Sequence, residues 1–226
     1  MIRLLIPVLL AIVIAVVSAR LAVRRTAREL DEKSVELIDP ALRPALDRLA
    51  RALEVPRIRV HLLDVATVNA LAAPDGRVVL TRGLFDRFRT GRVSADELAG
   101  VVAHELGHVA LGHSRRRMID FGGQNAVRVG LAFLLSRVLG GLGVWVAQGL
   151  VALLAAGLSR RDEFEADAYA SALLIKAGIG VGPQVSLLRK LGAEAKGAPP
   201  AWLMTHPHTE ARVRAIEGNA ARWLAR

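Results

Sequence analysis

Residues 101–109 read VVAHELGHV, and this stretch decides how the rest of the chain is interpreted. His104 and His108 are four residues apart, so on an α-helix both imidazoles lie on one face and can bind a single cation. Glu105 is offset around the helix axis, where its carboxylate can reach a water molecule bound to that cation. The spacing is that of HExxH, the motif of zinc-dependent peptidases.

A capping box predicts where this helix begins. Ser94 is followed three residues later by Glu97, the pair that satisfies the free amides of a first helical turn. We expect the helix to continue to about Arg117. HExxH also arises by chance in ordinary helices, but apolar flanks and a strong helix start favour the metal-binding interpretation.

A complete catalytic zinc site needs a third ligand and leaves the fourth position to water. No histidine follows at the spacing HExxHxxGxxH, so a downstream Glu is required, and residues 159–167, SRRDEFEAD, supply candidates. On a helix Glu163 and Asp167 share a face, so Glu163 can bind the metal while Asp167 accepts a hydrogen bond from a ligating imidazole. Glu165 points elsewhere. The alternative interpretation of this segment is a solvated acidic face.

Three motifs together resemble one peptidase family. VVAHELGHV, SRRDEFEAD and THPHTEAR (residues 205–212) follow one another as HExxH, SRxxExxAD and HPxxxxR. This order is similar to that of the HtpX-type metallopeptidases, which include the CAAX prenyl endopeptidases and the mitochondrial OMA-type proteases. The match covers most of residues 55–217.

The resemblance implies a role for each matching residue. It agrees with His104, His108 and Glu163 as ligands of one Zn²⁺ ion, with Glu105 as general base and with Asp167 as partner of a ligating imidazole. It places His206 near the metal, where it stabilises the oxyanion, and gives Arg212 a substrate-binding role. Residues 68–72, VNALA, resemble the family's edge strand, so Asn69 and Ala70 are expected to bind an extended peptide. The remaining histidines, His61, His113 and His208, are interpreted as a strand, a helix-end and a loop residue.

Composition limits the classes of function. The chain has no cysteine, which excludes disulfides and thiolate ligands. Its formal net charge is +10, but the basic residues are scattered and aromatic residues make up only 4%. Nucleic-acid binding is therefore disfavoured, and attraction to an anionic membrane surface fits better.

The N-terminal segment predicts a membrane anchor. Residues 4–19, LLIPVLLAIVIAVVSA, carry no charge, and more arginines follow this run than precede it. We therefore expect a transmembrane helix over residues 1–23, a charged linker over 24–37 and a metallopeptidase domain over 38–226 in the cytoplasm. The alternative is a signal peptide cleaved after Val17-Ser18-Ala19, which would export the domain.

A second apolar stretch, residues 127–158, cannot cross a membrane once. His108 precedes it and Glu163 follows it, and one metal ion cannot be bound from both sides of a bilayer. Two full spans do not fit in this length. We expect an apolar helical hairpin that packs in the domain or rests on the membrane surface.

The predicted fold is α+β and mostly helical, a zincin-like domain with a small β-sheet. A first helix is expected from Pro40 to about Val55. Strands are expected at residues 58–62, 65–72 and 77–81, with a hairpin around Pro74. A helix from Ser159 to Gly178 and a C-terminal helix should follow. The predicted function is a membrane-associated zinc metalloendopeptidase acting on membrane or misfolded proteins. The alternative is a non-catalytic zinc-binding scaffold or chaperone-like module of the same fold.

Overall fold

A computed structural model of the chain describes residues 17, 20–21, 24–25, 27–73, 76–113, 131–194, 203–204, 206 and 210–225, without the side chains of residues 153–158. The architecture is mostly helical with one small sheet, as the α+β prediction requires. The main strands and helices of the described residues follow in this order. The strands are β1 (Ser34–Glu36), β2 (Val60–Leu63), β3 (Ala70–Ala72) and β4 (Val78–Thr81). The helices are α1 (Arg43–Leu53), α2 (Arg82–Arg89), α3 (Ala95–Ala110), α4 (Leu142–Lys176), α5 (Gly182–Glu194) and α6 (Glu210–Leu224).

The sheet has the order β1-β2-β4-β3. β2 and β4 run parallel, and the two outer strands pair antiparallel with them. All four residues of β4, VVLT, are buried, which suits a strand covered on both faces. β1 lies inside the segment that was expected to be a charged linker, so part of that segment belongs to the sheet.

The strand predicted within residues 65–72 is shorter than expected. The reason lies in how residues 65–69 pack over the start of α2. Gly83 N donates to Val65 O at 3.1 Å, and a Cβ on Gly83 would lie only 2.1 Å from Ala66 O. The Thr81 hydroxyl accepts from Asn69 N at 2.9 Å, in place of a regular ladder bond. Only Ala70–Ala72 remain as a strand.

Helix α3 is the centre of the helical layer. It contacts α1, α4, α5 and strand β3. Its capping box forms as predicted, because Ser94 Oγ accepts from Glu97 N at 3.1 Å and Glu97 Oε2 accepts from Ser94 N at 2.9 Å. The predicted continuation to Arg117 is wrong. The helix ends at Ala110, and Gly112 has φ 68°, a left-handed conformation that stops a helix.

Helix α4 is one continuous element of 35 residues, so the predicted start at Ser159 is also wrong. The break lies earlier, at Gly140 (φ 59°) and Gly141, which separate α4 from a helix over residues 131–139. The two helices approach closely, since a Cβ on Gly143 would lie 2.4 Å from Leu135 C. The expected helical hairpin is thus present in the described residues.

The tip of this hairpin, residues 133–150, exposes large apolar side chains. Val138 is 81% exposed, Trp145 73% and Leu142 69%. Among the residues that the structure describes, no helix combines the length and the apolar character needed to cross a membrane. The predicted anchor over residues 1–23 lies outside those residues apart from Val17, Arg20 and Leu21.

Candidate metal centre

His104 and His108 lie on one face of α3 and are both buried. Their Nε2 atoms are 3.2 Å apart, so the two rings converge on a common point as the helical spacing predicts. Helix α4 passes close to this face because Gly107 has no side chain: a Cβ there would lie 3.0 Å from Ala166 O. The approach brings the carboxylates of α4 to the imidazoles of α3.

Glu163 of α4, the predicted third ligand, lies beside both imidazoles. Its Oε2 lies 3.4 Å from His104 Nε2 and its Oε1 lies 3.5 Å from His108 Nε2. The side chain is buried. The structure thus brings together the three residues that the sequence singled out from two distant segments.

His206 completes the cluster. Its Nδ1 lies 3.3 Å from His104 Nε2 and 2.9 Å from Glu163 Oε2. Its Nε2 lies 3.4 Å from Oε1 of Glu105, a carboxylate that is 1% exposed. The ring therefore stands between the third ligand candidate and the predicted general base.

The spacing of these atoms fits a tetrahedral zinc ion. With Zn–N and Zn–O bonds of roughly 2.0–2.1 Å, the corners of a tetrahedron are roughly 3.3–3.4 Å apart. The separations run from 2.9 to 3.5 Å, with Oε2 of Glu163 facing His104 and His206 and its Oε1 facing His108. One ligand atom from each of His104, His108, Glu163 and His206 lies within 4.8 Å of all the others. His206 Nδ1 stands at the corner that the sequence interpretation left to water.

The electrostatics of the cluster favour a positive charge at its centre. Burial lowers the pKa of His104, but hydrogen bonds with Asp167 and Glu163 outweigh it and raise the pKa to about 9. For Glu163, burial raises the pKa, and hydrogen bonds with His104 and His206 bring it far below its ordinary range. The carboxylates are therefore ionised and aimed at the imidazoles.

Asp167 and Arg212 form a buried pair behind His104. Asp167 Oδ1 lies 3.0 Å from His104 Nδ1, in the position to accept its hydrogen. Arg212 donates two hydrogen bonds to the same carboxylate, of 2.7 Å from Nε and 2.9 Å from Nη2. Burial raises the pKa of Asp167, but the bonds with Arg212 and His104 lower it to about 2. Arg212 was expected to contact substrate. Its side chain is 2% exposed and bonded to Asp167, and the substrate-binding role stays a prediction.

Comparison with known proteins identifies the family. The sequence profile of peptidase family M48 matches residues 36–220. The chain belongs to peptidase family M48. The resemblance to HtpX-type and CAAX prenyl peptidases is thereby confirmed.

Two curated relatives show the extent of the match. This M48 chain is 33% identical over 156 residues to the metalloprotease LoiP of Escherichia coli (strain K12), which covers 66% of the chain and 57% of the relative. It is 29% identical over 220 residues to the CAAX prenyl protease 1 homolog of Arabidopsis thaliana, which covers 84% of the chain and 50% of the relative. The chain therefore spans between half and three-fifths of the length of these relatives.

A solved structure has the same fold. The crystal structure of S. mikatae Ste24p superposes with a TM-score of 0.60 at 21% identity and covers 91% of this M48 chain and 56% of that protein. At this identity the likeness shows the fold alone.

One buried histidine of the M48 chain was missed by the sequence interpretation. His113, expected to be an ordinary helix-end residue, is 0% exposed, and its Nδ1 lies 2.9 Å from His108 Nδ1. Glu165 does point away from the metal centre, as predicted, but toward His113. Gly112 was the available signal, because a glycine that ends α3 turns the next residue back toward the helix. His61 lies on β2, outside the four-residue cluster, and His208 lies outside the described residues.

Of the predicted peptide-binding residues, Ala70 begins the edge strand β3, which contacts α3, and Asn69 comes just before that strand. Thr81 N donates to Asn69 O and Ala73 N donates to Arg77 O, so residues 69, 71 and 73 face β4. In an antiparallel pair the alternate residues then face the other way. The backbone groups of Ala70 and Ala72 are therefore directed away from β4, and Asn69 Oδ1 accepts from Ala70 N at 2.9 Å.

Proposed function

We propose that this chain is a zinc-dependent endopeptidase in which His104, His108 and Glu163 hold one Zn²⁺ ion. One observation carries the proposal: buried N and O atoms with the spacing of a tetrahedral zinc site lie next to the buried carboxylate of Glu105. Membership of peptidase family M48 supports a metal-dependent peptidase. The same kinds of ligand also bind other divalent ions.

The chain's own residues supply the proton transfers. A zinc ion in this site would lower the pKa of a water molecule and polarise the scissile carbonyl. Glu105 accepts the proton of the attacking water and returns it to the leaving amine. Asp167 fixes the ring of His104, so that its Nε2 faces the metal position.

His206 has two positions in this proposal. A catalytic zinc site keeps one corner open for water or substrate, whereas His206 Nδ1 stands at the fourth corner. The ring therefore turns away when substrate binds. Once the ring has left the fourth corner, one of its N–H groups donates to the oxyanion, as the family resemblance implies.

The substrate is an extended segment of a protein or peptide. The outward amides and carbonyls of Ala70 and Ala72 offer main-chain hydrogen bonds to an added strand, which does not depend on substrate side chains. Asn69 Oδ1 occupies the amide of Ala70 until a peptide carbonyl replaces it. Membrane and misfolded proteins present such segments.

Membrane association belongs to the same proposal. It is supported by the uncharged run over residues 4–19 and by the exposed apolar side chains of the hairpin tip. The predicted division into an anchor (1–23), a linker (24–37) and a domain (38–226) remains a prediction. The arginines after the apolar run place the domain in the cytoplasm; the alternative is export after signal cleavage.

The test compares wild type with Glu105→Gln. Because glutamine keeps the shape but cannot accept the proton, we expect the variant to bind zinc as wild type does and to lose at least about 100-fold in casein hydrolysis. Chelator should abolish wild-type hydrolysis and added zinc should restore it. Glu217→Gln, a surface change on α6, is the control and should retain full activity. Unchanged hydrolysis by Glu105→Gln would exclude this residue as the base.

The second candidate function is a non-catalytic zinc scaffold. The observation that favours it is the fourth corner held by His206, since zinc sites closed by four protein ligands are structural. A wild-type chain that binds one zinc ion tightly and never cleaves casein would support the scaffold over the peptidase.

A further inference from the structure

His113 is a buried histidine with contacts on both of its ring nitrogens. Its Nδ1 lies 2.9 Å from Nδ1 of His108, and its Nε2 lies 3.2 Å from Oε2 of Glu165. The Asp162 carboxylate, 3.7 Å from the same Nε2, faces it as well. The ring is 0% exposed, so these contacts replace water completely.

Two neighbouring elements hold the ring in this place. Gly112, with φ 68°, turns the chain at the end of α3 and folds His113 back beside His108. Asp162 and Glu165 are three residues apart on α4 and present their carboxylates to the same ring. Arg161 Nε donates to Glu165 Oε1 at 2.8 Å and keeps that carboxylate in position.

The hydrogens of this chain of contacts follow from the metal-binding nitrogen of His108. His108 Nε2 faces the other ligand atoms, at 3.2 Å from His104 Nε2 and 3.5 Å from Glu163 Oε1. A neutral imidazole that binds metal through Nε2 carries its hydrogen on Nδ1. That hydrogen points at His113 Nδ1, which must therefore accept it.

His113 is then fixed in a single tautomer. Because its Nδ1 accepts, its own hydrogen is on Nε2 and is donated to Glu165, with Asp162 adding negative charge nearby. The contacts form one directed series in which His108 donates to His113 and His113 donates to a carboxylate. His104 has the equivalent partner directly, since its Nδ1 faces Asp167.

The geometry points to His113 as the positioning residue of the second zinc-ligating imidazole. It orients the His108 ring, fixes the hydrogen on its Nδ1 and, through the Glu165 carboxylate, increases the electron density that Nε2 offers to the metal. This inference rests on the proposed zinc site, but not on peptidase activity.

A second cation bound by His113, Asp162 and Glu165 is the competing use of the same side chains, which lie within 4.8 Å of one another. It would need His113 Nε2 without hydrogen, and the ring hydrogen would then be on Nδ1. Two N–H groups, of His108 and His113, would face each other at 2.9 Å. Zinc on His108 and a cation on His113 thus exclude each other, and the positioning role is favoured.

The experiment separates hydrogen bonding from packing. Asparagine at position 113 places an amide oxygen near the site of Nδ1 and can still accept from His108, whereas leucine fills the space without an acceptor. Zinc affinity is measured by competition with a chromogenic chelator, in a Glu105→Gln background so that self-cleavage does not interfere. Zinc stoichiometry and the melting temperature of the apoprotein are recorded for each variant.

We expect His113→Leu to weaken zinc binding by about 10- to 100-fold and His113→Asn by no more than about threefold. Glu165→Gln, on a partly exposed side chain, should weaken it about two- to tenfold without loss of the fold, and it gives a result even if the buried variants do not fold. His61→Leu on strand β2 is the control and should bind zinc as the background protein does.

Three results would overturn the inference. Leucine equal to or better than asparagine would show that position 113 only fills space. Unchanged zinc affinity in Glu165→Gln would show that this carboxylate takes no part in the hydrogen-bonded series from His108 through His113. Two zinc ions per chain, with one lost in His113→Leu, would establish the second cation site instead. The proposed peptidase activity can fail independently, because none of these measurements uses substrate.

Discussion

Arg212 carries a buried positive charge beside the metal centre. It is 2% exposed, forms two hydrogen bonds with Asp167 and lies 3.3 Å from Glu163 Oε2 through Nη1. It therefore compensates the carboxylates of Asp167 and Glu163 at once. Its guanidinium lowers the pKa of Asp167 and so favours an ionised carboxylate beside Nδ1 of His104.

Removing this guanidinium leaves a buried carboxylate without its partner. We expect Arg212→Leu to lower the free energy of unfolding by about 3–5 kcal/mol, the usual cost of breaking a buried pair on one side. The measurement is urea unfolding of the apoprotein. Arg214→Leu, an exposed arginine two residues further along α6, should change stability by less than about 0.5 kcal/mol. Equal effects of the two variants would contradict the structural role of Arg212.

At the scale of residues, helical spacing predicted the side chains that face the metal position but not the buried side chains that hold them in place. His104, His108, Glu163 and Asp167 could be placed from the sequence because residues four apart share a helix face. Arg212 and His113 could not, since a hydrogen bond between distant segments leaves no periodic signal. Gly112 is a signal for His113, because a glycine in a left-handed conformation ends a helix, whereas the prediction continued the helix to Arg117.

At the scale of elements, the crossing of α3 and α4 decides whether the metal centre can form. A Cβ on Gly107 would lie 3.0 Å from Ala166 O and 3.1 Å from Ala166 Cα, which are backbone atoms that cannot rotate away. The glycine inside the HELGH segment is therefore a packing requirement. It sets the distance between the imidazoles of one helix and the carboxylate of the other.

We predict that Gly107→Ala destabilises the fold by about 1–2 kcal/mol despite the better helix propensity of alanine, because the two helices must separate. The same separation moves Glu163 away from the imidazoles, so zinc affinity should fall as well. Gly100→Ala is the matched control on the same helix: its Cβ would lie 3.6 Å from Gln184 Cα, an ordinary contact. That variant should gain up to about 1 kcal/mol from helix propensity. Thermal unfolding and chelator competition measure both, and equal behaviour of the two variants would contradict the packing argument.

The elements themselves were predicted unevenly. The capping box located the start of α3, because its two hydrogen bonds are local to four residues. The start of α4 was missed, since Ser159 resembles a helix start and only the surrounding structure shows that the helix continues through it. The short β3 was missed for a similar reason: the contacts of Thr81 and Gly83 that keep residues 65–69 irregular are made between segments.

At the scale of the whole molecule, the hairpin tip exposes several large apolar side chains close together in sequence. Val138, Leu142 and Trp145 are each more than two-thirds exposed, at 81%, 69% and 73%. The net charge of the chain is +10, which attracts it to anionic surfaces. A tryptophan at the edge of a lipid layer has a favourable place for both its apolar ring and its N–H.

Tryptophan fluorescence tests this placement. The chain has 3 tryptophans, and a variant with Trp202→Phe and Trp223→Phe retains Trp145 alone. On vesicles of brominated phosphatidylglycerol and phosphatidylcholine we expect more than about half of its emission to be quenched, since the quencher acts only at short range. A variant that retains Trp223 alone, at the end of α6, is the control and should keep most of its emission. Equal quenching of the two, or none, would contradict contact between the hairpin tip and lipid.

Helix α4 is unbroken from Leu142 to Lys176, so the apolar tip and the metal-facing carboxylate are parts of one rod. At about 1.5 Å per residue, Trp145 and Glu163 are roughly 27 Å apart along its axis. If the tip is bound to a surface, the metal centre is held at about this distance from it, and a scissile bond must extend that far to be cut. A polypeptide segment that is bound to the same surface and is shorter than this distance would not reach the metal centre.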